Sequence, residues 1–195
     1  MNRHSIQIAA KTALAGGLVV FPTDTVYGLG CNPRDPSAVD RLCRIKNRES
    51  KPIPLLCKDF ETAASMVVLS EIATRLARMY WPGALTIVAP SRAEFPAPIQ
   101  RGSAMLGVRV PNHGGCLQLL DGAGGVLTGT SANLSGEPAS RCAPEAVAQL
   151  GNDVDIILDG GHLTGRESTV IRFDGDRIHV LREGSVRVPD AELSK

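Results

Sequence analysis

Residues 18–30 read Leu18-Val19-Val20-Phe21-Pro22-Thr23-Asp24-Thr25-Val26-Tyr27-Gly28-Leu29-Gly30. Four apolar residues stop at a proline and give way to a polar segment carrying hydroxyls, a carboxylate and glycines. A run this short, bounded by Gly16-Gly17 and Pro22, predicts a buried strand at Leu18–Phe21. Just ahead of it, Ile6 to Ala15 carries apolar residues at helical spacing and stops at the same glycine pair, so a helix feeds the strand.

Working outward, the same grammar recurs. Helical spacing covers Ser37 to Ile45 behind Pro36, Asp59 can cap a helix through Met66, and Ser70 with Glu71 can open another through Tyr80. Further helices are expected near His113 to Leu120 and Pro144 to Leu150. Strand candidates are Ile53–Cys57, Leu85–Ala89, Met105–Val110, Val126–Thr130, Val154–Leu158, Ser168–Phe173 and Arg177–Leu181. Asp174-Gly175 between the last two is a hairpin signal. Strict alternation fails in the second half, so the fold class is α/β (α+β), a mixed parallel and antiparallel sheet with flanking helices. No repeat, charge block or linker divides the chain, and the proline-rich stretch Ser91 to Gly102 reads as a surface loop. Residues 1–195 form one domain.

Composition narrows the function. With 43% hydrophobic and 21% charged residues, the 195-residue chain can bury a core and is not disordered. A net charge of +1 gives no whole-molecule attraction to nucleic acid or anionic membrane. Only 4% of residues are aromatic, with a single Trp, which argues against a surface that stacks on successive bases. Five widely spaced cysteines without a C-x-x-C pair read as free, mostly buried thiols in a reducing compartment. Gln7 and Lys11 interrupt the apolar N-terminus too early for a signal peptide, and no run reaches the ~18 residues of a membrane span. A cytoplasmic chain without membrane contact is expected.

Several familiar signatures fail on missing parts. Gly28-Leu29-Gly30 lacks the third glycine of a dinucleotide fingerprint, and Gly165-Arg166-Glu167-Ser168-Thr169 lacks the P-loop lysine. Asn133 replaces the last glycine of a nucleophile elbow in Gly129-Thr130-Ser131-Ala132-Asn133. The four histidines have no metal-ligand spacing, so no protein metal site is expected. What remains is a set of polar segments at the ends of strand and helix candidates, where ligands gather in open α/β sheets. Lys46, Arg48, Lys51, Arg109, Arg141 and Arg182 offer cations for polyphosphate or carboxylate; Thr25, Ser131, Asn133 and Ser168 offer neutral groups that fix orientation.

Nine of these segments, in order, resemble the YrdC-like family, whose core members are threonylcarbamoyl-adenylate synthases. They are P-T-D-T-V-Y-G-L-G (22–30), K-x-R (46–48), K-P-I-P-L-L (51–56), W-P-G-x-L-T (81–86), V-R-V-P-N-H (108–113), S-A-N-L-S-G (131–136), L-D-G-G (158–161), E-S-T-V (167–170) and L-R-E-G (181–184). The matched core runs from about residue 16 to residue 184. The resemblance implies a twisted mixed sheet around a large basic cavity. It also implies a nucleotidyltransferase that makes threonylcarbamoyl-AMP and pyrophosphate from L-threonine, bicarbonate and ATP, with Mg2+ carried on ATP. Downstream transferase proteins would then place the group on tRNA beside the anticodon. Residue by residue, Thr25, Arg109, Ser131 and Ser168 match threonine-contacting positions. Lys46, Arg48, Lys51, Asn133, Arg141 and Arg182 lie on the ATP side, with Lys46 and Arg48 closest to the chemistry. Within the matched motifs, residue type alone gives some positions a structural reading: Asp24 is expected to cap local backbone N–H groups rather than touch substrate, and Trp81 and Pro82 to end a helix and pack.

Two other readings share the resemblance: a double-stranded RNA or tRNA-binding module, and a carbamoyl-transfer domain, which normally sits in much longer chains. Departures are Glu49, where many relatives have proline, and Cys57, where some have histidine. The additional C-terminal domain of longer synthases is not matched, so lid-type closure of the cavity is either not expected or falls to the short terminal segments.

Overall fold

The computed structural model describes residues 1–47, 51–175 and 177–188, the side chain of Asn152 excepted. Its helices are α1 (Arg3–Leu14), α2 (Pro36–Lys46), α3 (Phe60–Met66), α4 (Glu71–Tyr80), α5 (Ala97–Gln100), α6 (Gly114–Gly122) and α7 (Ala143–Leu150). Its strands are β1 (Val19–Pro22), β2 (Tyr27–Gly30), β3 (Leu55–Cys57), β4 (Leu85–Pro90), β5 (Met105–Arg109), β6 (Val126–Thr128), β7 (Thr130–Ser131), β8 (Ile156–Ile157), β9 (Thr169–Asp174) and β10 (Arg177–Arg182).

Local chemistry sets the helix starts. Asn2, Asp35, Asp59 and Ser70 each accept a hydrogen bond from a first-turn backbone N–H of α1, α2, α3 and α4. Pro36 occupies the first turn of α2, and Asn47 in the left-handed region (φ 50°) ends that helix. As expected, Trp81 stops α4 and is buried, its indole N–H donating to the Leu85 carbonyl at 2.6 Å.

The strands form two sheets rather than one. A four-stranded sheet has the order β7-β2-β1-β8 and a six-stranded sheet the order β10-β9-β4-β5-β3-β6, each mixing parallel and antiparallel pairs. The chain changes sheet at Gly129: Thr128 pairs with Leu55 in one sheet and Thr130 with Leu29 in the other. A Cβ at Gly129 would run into the Leu56 side chain, so the single strand expected over residues 126–130 breaks there. β2 was expected as part of a polar loop. Its glycines hide a strand, because at Gly30 a Cβ would meet the Thr128 carbonyl and the Phe21 ring. Likewise α5 interrupts the loop expected over residues 91–102. The hairpin at Asp174-Gly175 joins β9 to β10 as read, with Gly175 at φ 57°.

Period-two alternation divides the six-stranded sheet into two faces. Leu55, Leu85, Ile87, Leu106, Val108 and Ile171 point into the large core cluster under α3 and α4. The opposite face, with Leu56, Thr86, Val88, Gly107, Arg109 and Val170, is the floor of a cavity. A smaller cluster ties α1 and α6 to β1 through Ala9, Ala13, Phe21, Leu119 and Leu120. Among the described residues no helix is long and apolar enough to cross a membrane.

Candidate active site

The cavity has a volume of about 1060 Å³ and lies between the floor strands and the four-stranded sheet, which contributes Tyr27, Gly28, Thr130 and Ser131. Among its described lining residues, five are cationic (Lys46, Lys51, Arg109, Arg172, Arg182) and two carry carboxylates (Glu137, Glu167). A chain of net charge +1 thus places five of its 21 Lys and Arg residues around one space, where low-dielectric walls strengthen their field on an anion.

Arg109 is held at the end of β5, 5% exposed. Its Nε donates to the Gly83 carbonyl at 2.9 Å, Nη1 to the Thr25 hydroxyl at 3.1 Å, and Nη2 to the Asp24 carboxylate. Burial pushes its pKa down and the Asp24 charge opposes that; a guanidinium stays charged through such shifts. One N–H remains on each terminal nitrogen, the pair a ligand carboxylate would use. Asp24, expected as a local cap, is instead the counter-ion that orients this arginine.

The hydroxyls beside Arg109 are wired in one direction. Thr23 donates to the Val26 carbonyl at 2.7 Å, so in its 2.9 Å contact with Thr25 it must accept. Thr25 thus spends its only proton on Thr23 and accepts from Arg109. What it still offers a ligand is one lone pair.

Two strands away on the same floor, Ser168 precedes β9. Arg182 of β10 donates from Nε to the Ser168 carbonyl and from Nη2 to its hydroxyl, both at 3.0 Å, while Nη1 pairs with Glu167 at 2.8 Å. Thr86 of β4 lies 2.9 Å from the same hydroxyl.

Lys46 ends α2 with its side chain 1% exposed. Its ammonium donates to the Ser131 carbonyl, to the Asn133 carbonyl at 2.5 Å and to Asn133 Oδ1 at 3.1 Å. These acceptors match its three protons, so Lys46 clamps the 131–133 turn and contributes its charge as a fixed field. Asn133 is also held by donating to the Glu137 carbonyl at 2.5 Å. Tyr27 closes the wall behind: its hydroxyl donates to the Gly161 carbonyl at 2.8 Å and accepts from the Gly160 N–H at 2.9 Å. Burial raises its pKa.

Of the site residues expected from sequence, Thr25, Lys46, Lys51, Arg109, Ser131, Asn133, Ser168 and Arg182 all line this cavity. Arg48 lies outside the described residues. Arg141 is exposed and absent from the cavity lining; its backbone N–H bonds Glu145 at the start of α7. Sequence reading overlooked Thr23, Thr86, Met105 and Arg172 as lining residues. Thr86 sat in a quoted motif without a role. Arg172 was findable from alternation, since Ser168, Val170 and Arg172 share one face. No group of three or more metal-capable side chains occurs among the described residues.

A family model described as "Telomere recombination", spanning Sua5, YciO and YrdC proteins, matches residues 11–184. The chain is 35% identical over 195 residues to threonylcarbamoyl-AMP synthase of Pyrococcus abyssi, covering 98% of this chain and 57% of that protein. It is 32% identical to YciO of Escherichia coli, covering 94% of this chain and 90% of that one. The solved structure of P. abyssi Sua5 complexed with L-threonine superposes with a TM-score of 0.90 at 35% identity, over 94% of this chain and 55% of that one. The family match takes in every strand, the cavity floor and each wired hydroxyl, and so this chain belongs to the Sua5–YciO–YrdC family.

Proposed function

We propose that this chain is an L-threonylcarbamoyladenylate synthase, forming threonylcarbamoyl-AMP, pyrophosphate and water from L-threonine, bicarbonate and MgATP. The observation that carries the reading is the pairing, in one basic cavity, of a buried arginine with two open N–H groups and a wall of further cations. The first suits an amino-acid carboxylate and the second a polyphosphate. The relative named as this synthase and the Sua5 structure complexed with L-threonine support it.

In the proposed reaction, the threonine nitrogen attacks the bicarbonate-derived carbon and water leaves. A carbamate oxygen then attacks the α-phosphorus and pyrophosphate departs. Arg109 and Thr25 hold threonine; Lys51, Arg182 and Arg48 offset charge on the phosphates as the α–β bond breaks, catalysis resting on position and field. Lys46 keeps the 131–133 turn in place for Asn133 and Ser131. Two carboxylates, one already paired with Arg182, make a poor magnesium cage, which fits a Mg2+ ion arriving on ATP as part of the substrate. The product would pass to transferase proteins acting on tRNA.

Pyrophosphate release should depend on both threonine and bicarbonate. Arg109→Ala should raise the threonine KM at least tenfold more than the ATP KM, and Arg48→Ala should do the reverse. Threonine-independent release would overturn the proposal.

A further inference from the structure

We infer that Thr86, on the cavity floor, is a positioning residue that turns the Ser168 hydroxyl proton into the cavity. It thereby fixes which end of the amino acid lies beside Ser168. This deepens the synthase reading and rests on it for the identity of the ligand.

The inference follows from where the protons must go. Ser168 Oγ has one proton and two lone pairs. Arg182 Nη2, 3.0 Å away, can only donate, so one lone pair is filled. Arg182 cannot turn aside, because its Nε holds the Ser168 carbonyl and its Nη1 holds Glu167. A hydroxyl that accepts from a cation becomes a stronger donor, and its proton goes to the best acceptor within reach. An anionic ligand oxygen outcompetes the neutral Thr86 hydroxyl. Thr86, 2.9 Å away and 3% exposed, then donates into the second lone pair. With both lone pairs filled, Ser168 is a pure donor to the cavity.

That arrangement is the converse of the one at Thr25. There the Arg109–Thr25–Thr23–Val26 chain leaves Thr25 a pure acceptor. A donor at Ser168 and an acceptor at Thr25 give this part of the floor a direction for an amino acid. The threonine carboxylate, the group that Arg109 also takes, belongs beside Ser168, and a ligand N–H or O–H belongs at Thr25. Thr86 sets the first pole without touching the ligand. Its place on β4 makes it fit for this: β4 lies between β5 and β9, and Thr86 is in register with Val170, two residues beyond Ser168.

The test is Thr86→Val beside Thr86→Ser in the full chain. Valine keeps the β-branched shape that the strand accepts and removes only the hydroxyl. Thr86→Val should raise the threonine KM, and the threonine Kd by calorimetry, about 5- to 20-fold, the effect of one hydrogen bond in a charged network. The ATP KM and the unfolding midpoint should stay close to wild type, and Thr86→Ser should return the threonine KM to within about twofold, because serine retains the donor. A threonine KM unchanged in Thr86→Val would overturn the inference. So would equal losses in both variants, or equal losses for both substrates. If the wild-type chain binds threonine but releases no pyrophosphate, the synthase reading fails while calorimetry on the two variants still decides the role of Thr86.

Discussion

Converting Asp24 to asparagine probes the buried ion pair on which the threonine side of the cavity is built. The Arg109 and Asp24 side chains are 6% and 15% exposed, so neither charge can recover its hydration if the other is removed. Asparagine keeps the shape and an acceptor for Nη2 but takes away the counter-charge. Stranding a buried cation in this way costs about 3–5 kcal/mol when burial is complete, and about 2–4 kcal/mol with the residual access at Asp24. Arg109→Met should cost about 2–3 kcal/mol, since it leaves the Gly83 carbonyl and the Asp24 carboxylate short of a donor. The double variant removes both charges together. It should therefore cost about 2 kcal/mol less than the sum of the singles, equivalent to about 4–8 °C in the unfolding midpoint for a chain of this size. Urea unfolding of the four proteins measures that coupling. Burial also shields the pair from ions, so the coupling should persist at 1 M salt. Strict additivity, or a coupling that salt abolishes, would refute the view that this pair is a fixed internal element of the site.

Three further outcomes follow from other parts of the structure. His113 caps α6 by accepting from the Cys116 N–H, and burial lowers its pKa; below about pH 6.5 the unfolded chain takes up a proton that the folded chain resists. Stability should therefore fall as pH drops from 7 to 5, and His113→Asn, which keeps the cap acceptor, should lessen that slope in urea titrations. Burial pushes the Cys31 thiol up to about 11 and the Cys57 and Cys116 thiols up to about 12, whereas Cys43 and Cys142 are only half-buried. A thiol reagent at pH 8 should modify two cysteines quickly and the other three only on unfolding. Lys46→Met should cost about 3 kcal/mol or more, because it leaves the Ser131 and Asn133 acceptors buried without a donor; calorimetric unfolding would show this, and an unchanged midpoint would contradict the clamp.

Much of the fold was legible because capping residues and apolar runs carry local information. Asp59 and Ser70 start the helices read from them, and the Asp174-Gly175 turn closes the hairpin expected. What stayed hidden was decided by distant packing. Gly28 and Gly30 look like turn residues in sequence, yet they let β2 lie against the Phe21 ring. The division into two sheets depends on Gly129 meeting Leu56, a contact 73 positions away that no window of sequence displays. The site divides the same way. Motifs named eight of the lining residues, because charged and hydroxyl side chains at strand ends are readable as such. They did not tell which groups were already committed to the protein. Asp24 read as a cap and is a counter-ion; Lys46 read as a phosphate ligand and is saturated by a turn. Those assignments exist only once residues 85 positions apart in the chain are brought within hydrogen-bonding distance.

The most direct measurement is the mass of the nucleotide formed when the chain is incubated with ATP, magnesium, threonine and 13C-bicarbonate. The synthase reading predicts an AMP adduct that carries one threonine and a single labelled carbon, formed in step with pyrophosphate. A nucleotide product lacking either the label or the threonine would contradict it.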